Sequence, residues 1–390
     1  MRLLPSEYAV RNLGRAPLRL ALSLGGGALV VMLVIAAVAF IRGMERSLIG
    51  SGSENNVILL GAGSEESIER SEISASVPQQ AAAGIRGIAS ALGTPLVSPE
   101  VHVALAVGRS ATEETTTQAV FRGVTPVAFG THPQVRLIEG RMFDPGEDEI
   151  IVGALAATRL GWPAEDLAVG QSIWLDDRAW KIVGRFTAPN TVMDAEIWVP
   201  LNNLQILTRR DSLSCVVVTL DENGGEFAEA EAFAATRLDL ELIAMRETEY
   251  YGKLRAFYGP VRMMVWVTAV LIALGGVFGG LNTMYAAFAA RAREIGMLQT
   301  LGYSRRAVVI SFMQESILIA AGGGLIAAAL CLWLLDGLAV RFSMGAFGLI
   351  LDGSTIALGL SAGLMLGLLG ALPPTLGCIK LPITTALKTS

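Results

Sequence analysis

Cysteine and histidine are both scarce in this chain, with three cysteines and two histidines among 390 residues. Cys215 is the one cysteine between residues 43 and 260, so no disulfide can form within that stretch. Cys331 and Cys378 lie in or beside apolar runs, where a thiol serves as a small apolar filler. His102 and His132 stand 30 positions apart, with no cysteine or histidine near either at ligand spacing, and no metal site is expected. A phosphate-binding loop is missing too. That motif, G-x-x-x-x-G-K-[ST], needs backbone N–H groups around phosphate and a lysine reaching its far end. The one Gly-Lys pair, Gly252-Lys253, is followed by Leu254 and fails the pattern. ATP binding by that route is excluded, and no cofactor is expected. Between residues 43 and 260 there is neither a Ser/His/Asp cluster at a recognisable spacing nor a G-x-S-x-G elbow. The acid pairs Glu113–Glu114 and Asp176–Asp177 sit in turn-like stretches and read as solvated. An enzyme is therefore disfavoured.

What the chain has is apolar length. It is 52% hydrophobic with a mean hydropathy of +0.53, and the excess falls in four runs. A helix crossing the hydrocarbon core needs about 20 apolar residues, and lipid cannot satisfy backbone polar groups, so each run is expected to be helical. The predicted fold is an α-helical membrane protein with four transmembrane helices and a large extracytoplasmic α+β domain inserted between helices 1 and 2. The spans are placed at 20–42, 261–290, 307–335 and 354–377. The first run exceeds a signal-peptide core of about 7–15 residues, so an uncleaved anchor is expected despite an "AVA" at 37–39.

Charge orients the spans. Arg2, Arg11, Arg15 and Arg19 precede the first; Arg291, Arg293, Arg305 and Arg306 lie between the second and third; Lys380 and Lys388 follow the fourth. Positive loops stay inside, which puts both termini in the cytoplasm; with the family resemblance given below, the expected membrane is the cell inner membrane. Residues 43–260 carry 17 basic against 30 acidic residues, while the rest of the chain carries 13 against 5. The net charge of −5 thus conceals an acidic outside and a basic inside. The remaining boundaries follow: a basic N-terminal segment at 1–19, which the family resemblance given below makes an amphipathic entry helix, the external domain at 43–260, a cytoplasmic loop at 291–306, a short external loop at 336–353 and a cytoplasmic tail at 378–390.

The external segment reads as short strands with turn punctuation. Strand candidates are 55–60, 100–108, 117–124, 148–153 and 214–220, with a hairpin at 171–186 turning near Asp176 and Asp177. Helices are placed at 78–92, 153–161, 200–208 and 226–237, and 247–259 leads into the second span.

The stretch "RAREIGMLQTLGYSRR", 291–306, predicts a short basic helix. Glu294 meets the positive end of its dipole, Ile295, Leu298 and Leu301 make an apolar stripe, Gly302 stops it, and Ser304 caps the next helix. From these residues alone, a docking helix and a plain positive loop are equally good readings. Its continuation, "AVVISFMQESILIAAGGGLIAAAL", completes a pattern that resembles the FtsX-like, MacB-type ABC transporter permeases. The matching positions are Arg291, Arg293, Glu294, Ile295, Gly296, Leu298, Leu301, Gly302, Ser304, Glu315 and Gly322 to Gly324. "EYAVRNLGRAPLRLALSLGG" is similar to the family's entry helix, and residues 123–162 and 168–186 resemble its MacB-like periplasmic core domain. "KLPITTALK" is similar to the family's tail, with Pro382 and Leu387 kept and Leu381 in place of an acid.

The resemblance implies a permease subunit of an ATP-binding cassette complex that turns ATP hydrolysis into movement of its periplasmic domain, for export or for extraction of a substrate. It implies a dimeric ABC ATPase on the cytoplasmic face, supplied by another chain, in keeping with the missing phosphate loop. Arg291, Arg293, Glu294, Ile295, Gly296, Leu298, Leu301 and Gly302 would form the ATPase-coupling helix. A second permease copy or paralogue would pair in the membrane lipid, and efflux members add a periplasmic adaptor (membrane-fusion protein). Nucleic acid is not an expected partner. The alternatives are a mechanotransmission regulator of a cell-wall hydrolase, an energy-independent receptor or scaffold, and a membrane enzyme.

Within the spans, Gly275 and Gly279 with Gly276 and Gly280, and Gly359, Gly363 and Gly367, repeat at four-residue spacing, which suits close helix packing. Glu315 falls inside the third span, where a charge costs roughly 2.5–3.5 kcal/mol on insertion scales. It reads either as an interfacial carboxylate near the arginines or as a contact to the coupling helix.

Overall fold

The computed structural model describes residues 11, 14–111, 116–222, 224–342 and 345–380, with backbone only at 378–380. The expected entry helix lies mostly outside the described residues, and so do the Glu113–Glu114 pair and the tail from Leu381, including Pro382 and Leu387. The chain divides into two compact units. One comprises residues up to 42, 260–338 and 349 onward; the other comprises 43–259 and 339–348.

Four described helices are long and apolar enough to cross a membrane. They are α1 (Pro17–Ser51), α3 (Gly259–Ala289), α5 (Arg305–Leu334) and α6 (Gly353–Lys380); a shorter α2 (Glu247–Phe257) precedes α3, and α4 (Ala292–Thr300) follows it. In the membrane unit, Ala28, Val31 and Ile35 of α1 pack on Ala327 and Cys331 of α5. The glycines of α6 let it approach both neighbours. A Cβ at Gly359 would overlap Ile35, one at Gly363 would stand 2.5 Å from Val31, and one at Gly367 would stand 2.6 Å from Ala320. Lipid offers no hydrophobic drive between helices, so such close backbone approach supplies the van der Waals gain that holds them. At the other end of α1, Arg42 donates to Asp352 (3.0 Å) and Thr355 (2.9 Å). Asp352 in turn accepts from the Thr355 N–H at 2.8 Å, capping α6.

The second unit is built on one mixed sheet. Among the described residues it contains β1 (Asn56–Gly61), β2 (Val97–Val107), β3 (Thr117–Val124), β4 (Arg136–Gly140), β5 (Glu149–Gly153), β6 (Ser172–Leu175), β7 (Arg178–Thr187), β8 (Ile197–Pro200), β9 (Cys215–Thr219) and β10 (Leu242–Arg246). Their order is β10-β1-β9-β2-β3-β8-β5-β7-β4, with β6 paired to β7. Most pairs are antiparallel; β3–β8 and β5–β7 are parallel. The β6–β7 hairpin turns at Asp176 and Asp177, both with φ above zero (45° and 61°), as a tight primed turn requires. Among the described residues, five short helices lie at 77–84, 128–131, 156–160, 201–208 and 227–236. The first ends earlier than the expected 92, because residues 90–95 form a small hairpin with Gly93 at φ +80°.

Strand alternation divides the buried side chains between the two faces. Val101, Phe121, Ile150, Val152, Ile182, Ile197 and Val199 enter one large core. Val124, Ile151, Val183, Phe186 and Trp198 enter a smaller one on the opposite face. Burying each such side chain fully contributes about 1.5–3 kcal/mol.

Candidate functional site: the segment between the second and third spans and a buried ionic cluster

The segment 291–304 is built locally. Arg291 occupies the position before α4, and its guanidinium donates to both oxygens of Glu315, at 2.8 and 3.2 Å. Both residues are buried, 8% and 6% exposed, and the guanidinium also lies 5.9 Å from the centre of the Phe312 ring. A two-point arginine–carboxylate pair fixes angle as well as distance, so α4 is held to α5 at a set orientation. Ile295 completes the anchor, buried with Met284, Val308, Phe312 and Ala371. The far end of α4 closes on Gly302, φ +90°, where Gly302 N–H donates to Gln299 O and Tyr303 N–H to Leu298 O, both at 3.1 Å. This double bond pattern at a left-handed residue is the glycine stop of a helix. Ser304 Oγ then accepts the Ala307 N–H at 3.3 Å and starts α5.

Several other residues of the segment point outward. Arg293 is exposed, Met297 is 47% exposed and Leu301 69%. Gly296 is buried, and Leu298 is half-buried. The expected stripe of Ile295, Leu298 and Leu301 is therefore not one buried face. Leu301 follows the last helical residue, so it has left the face that Ile295 defines. Glu294 pairs with Arg15 at 3.3 Å in an exposed contact. Of the two readings of Glu315, the contact to the α4 segment is the one present.

The glycines of α3 behave differently from those of α6. Nothing lies within 4 Å of a Cβ built at Gly275 or Gly279, whereas one at Gly276 would meet Val30 at 3.1 Å and one at Gly280 would meet Gly370 at 3.7 Å. Close packing expected at Gly275 and Gly279 is absent among the described residues. Both border a cavity of about 450 Å³, whose lining also includes Arg19, Glu315, Gly363 and Gly367. The reason is helical phase: of two glycines side by side on a helix, only one can face a given neighbour.

The external domain holds a cluster that no sequence spacing reveals. Glu100 and His102 are two apart on β2 and share a face. The register sets Cys215 of β9 opposite Glu100, Arg122 of β3 opposite His102, and Trp198 of β8 beside Arg122. Glu196 lies two residues before Trp198. Arg122 donates to Glu196 twice at 2.7 Å and to Glu100 at 2.8 Å, while Trp198 Nε1 donates to Glu196 at 2.9 Å. His132 Nε2 lies 2.8 Å from Glu100 Oε1, and His102 Nε2 lies 3.0 Å from Oε2.

All of these groups are buried. Burial alone would raise Glu100, but the charges of His132 and Arg122 and the imidazole hydrogen bonds hold it well below the ordinary carboxylate range. Burial likewise opposes ionisation of Glu196, and Arg122 overcomes it, holding that carboxyl low as well. Burial and the neighbouring Arg122 charge push His102 down. His132 is raised: burial opposes its charge, and Glu100 and Glu247 outweigh burial.

Glu100, His102 and Cys215 bring ligand-type atoms within 4.8 Å of one another, which the distance of Cys215 from the other two in sequence concealed. Yet Ser98 Oγ and His132 donate to one Glu100 oxygen, and His102 and Arg122 to the other. A carboxylate has about four acceptor positions, so this one is filled by donors. With no exposed member, the cluster offers a substrate no approach; it is a closed ionic network tying β2, β3 and β8 together.

Residues 20–232 match the MacB-like periplasmic core domain, and residues 266–383 match the FtsX-like permease C-terminal region. The uncharacterized ABC transporter permease YvrN of Bacillus subtilis (strain 168) is 24% identical over 337 residues, covering 79% of this chain and 81% of that protein. The macrolide export ATP-binding/permease protein MacB of Shewanella sp. (strain ANA-3) is 22% identical over 382 residues, covering 87% of this chain and 56% of that protein; the chain thus spans little more than half of this relative. The periplasmic region of MacB from Actinobacillus actinomycetemcomitans aligns with 53% of this chain and 94% of its own, at 11% identity and a TM-score of 0.39. With a core-domain match over more than half its length and the permease region after it, the chain belongs to the MacB/FtsX family of ABC transporter permeases.

Proposed function

We propose that the chain is a non-catalytic permease subunit whose spans are driven by a separate ABC ATPase docked on α4. The observation that carries this reading is the construction of the 291–304 segment. One side is locked to α5 by the Arg291–Glu315 pair and Ile295, while Arg293, Met297 and Leu301 are left outward. A helix rigidly joined to a span and presenting apolar and basic side chains transmits a push without absorbing it. In this reading both termini and α4 are cytoplasmic, in an inner membrane, and the sheet domain is periplasmic. A second permease copy or paralogue completes the membrane part, and a periplasmic adaptor completes an efflux complex. The work is export, or extraction of a substrate from the membrane or periplasm. The closed ionic cluster supports the non-catalytic part, because every one of its acids and imidazoles is buried.

The test is co-purification of the partner ATPase with L301D and M297D, together with permease-stimulated ATP hydrolysis. Loss of both, with the external domain still folded, is the expected outcome. Full retention of binding and stimulation in both variants refutes docking at α4.

A further inference from the structure

Two stretches of the external unit lead toward the membrane spans: residues 43–56, leaving α1, and α2, leading to α3. They meet at one buried carboxylate. Glu247, the first residue of α2, is 1% exposed. Its Oε2 accepts from the Ser53 N–H and from Asn56 Nδ2, both at 2.9 Å. Ser53 lies two residues past α1, and Asn56 opens β1. At Gly52 the same stretch touches α2 directly, for a Cβ there would stand 2.9 Å from Thr248 Cα and 3.1 Å from Glu247 O. The second carboxylate oxygen of Glu247 faces His132 Nδ1 at 3.8 Å. Among the described residues that Nδ1 is buried without a hydrogen-bond partner, while the opposite ring nitrogen is engaged by Glu100. An imidazolium carries a donor on both nitrogens, so a charged His132 bridges the sheet's ionic network to the junction of both membrane-directed stretches.

We propose that His132 and Glu247 form a proton-operated lock on this junction: it holds the two stretches to each other and to the sheet while His132 is charged and Glu247 ionised, and it slackens when the imidazolium loses its proton.

The surroundings support two distinct states. Glu247 is faced by His132, Glu100, Cys215 and Tyr251, with Asn56 and the Ser53 N–H as neutral donors. His132 is faced by Glu100, Glu247 and Arg122, with the Trp198 ring centred 6.2 Å away; His102 and Glu196 stand behind Arg122. Burial pushes Glu247 up, so this carboxyl favours its protonated form more than a solvated one does. His132 is raised as well, by Glu100 and Glu247 against burial. A raised imidazole stabilises the fold fully below its ordinary value of 6.5 and loses that contribution as pH rises through the raised value. A raised carboxyl also favours the fold while protonated, and that contribution is lost as pH rises through its own raised value. The lock therefore holds only while Glu247 has lost its proton and His132 has kept its own. At higher pH the Glu247 carboxylate keeps only neutral donors, and a buried charge without a counter-charge is unfavourable.

The chain's two histidines make the test direct. The full chain is placed in nanodiscs, labelled at histidine, and titrated by NMR, with H102Q assigning the signals. His132 is expected to titrate above 6.5, and E247Q to lower its midpoint by about one pH unit. Hydrogen exchange at 50–56 and 247–257, corrected for intrinsic rate, should quicken together as pH crosses the His132 midpoint. In E247Q it should already be fast and insensitive to that crossing. An unchanged His132 midpoint in E247Q, or no exchange step at that midpoint in the native chain, overturns the proposal. The native titration alone decides the matter if E247Q does not fold. Neither readout involves nucleotide or an ATPase, so failure here is separable from failure of docking at α4.

Discussion

Two buried ionic arrangements in this molecule differ in reach, and the difference separates what each can do. Arg291 and Glu315 form one two-point pair between neighbouring elements, joining a nine-residue helix to the span that follows it. Arg122 of β3 sits between Glu100 of β2 and Glu196, the residue just before β8, with His102, His132 and Trp198 completing the set. The first is a local brace, and breaking it frees one segment. The second is shared by the sheet as a whole, and breaking it at Arg122 leaves Glu196 deep in the domain without its arginine and Glu100 with His132 alone.

Arg122→Leu tests the wider arrangement and carries the largest expected effect. Removing one partner of a buried ionic set costs on the order of 3–5 kcal/mol, so the external domain of the full chain should unfold at much lower temperature, read by tryptophan fluorescence. A matching acid signature is expected in the native chain. Glu100 and Glu196 are held below the ordinary carboxylate value of 4.5. Their contribution is complete above that pH and is lost as pH falls through the depressed values. Arg122→Leu should flatten this dependence; equal acid sensitivity in both proteins would show that the stabilising charges lie elsewhere.

Glu315→Gln tests the local brace, with a smaller effect of about 1–3 kcal/mol, the cost of a weakened bond to a buried charged group. Limited proteolysis at Arg293 should accelerate while unfolding of the external domain stays unchanged. A change in both would mean that the brace is not local.

The smallest effects separate the two glycine rows. Gly363→Leu drives a side chain into Val31, an overpacking cost of about 1–3 kcal/mol. Gly275→Leu enters open space and should leave thermal stability in detergent unchanged. Equal losses would show that Gly275 is packed after all.

The spans, the α4 segment and several sheet strands were legible in the sequence for a common reason: each is decided by residues close together in the chain. An uncharged run long enough to cross lipid can only be helical. The glycine stop at Gly302 and the cap at Ser304 lie within a few residues of the helices they bound. The hairpin at 172–187 announces itself by alternation around two aspartates. Even Glu315 was suspicious on composition alone, as an acid inside an apolar run. The buried cluster was not legible, because His102, Arg122, His132, Glu196 and Glu247 come from five places in the chain. Each alone resembles an ordinary polar residue of a surface strand or turn.

What the amino-acid order determined by itself was therefore one-dimensional: where lipid is crossed, where helices stop, which strands alternate. Tertiary structure alone decided which glycines touch a neighbour and which border a cavity, because helical phase relative to a partner is not a local property. It also decided that two isolated histidines share one glutamate, because strand register, set by the packing of both faces of the sheet, places residues that are distant in sequence within hydrogen-bond reach.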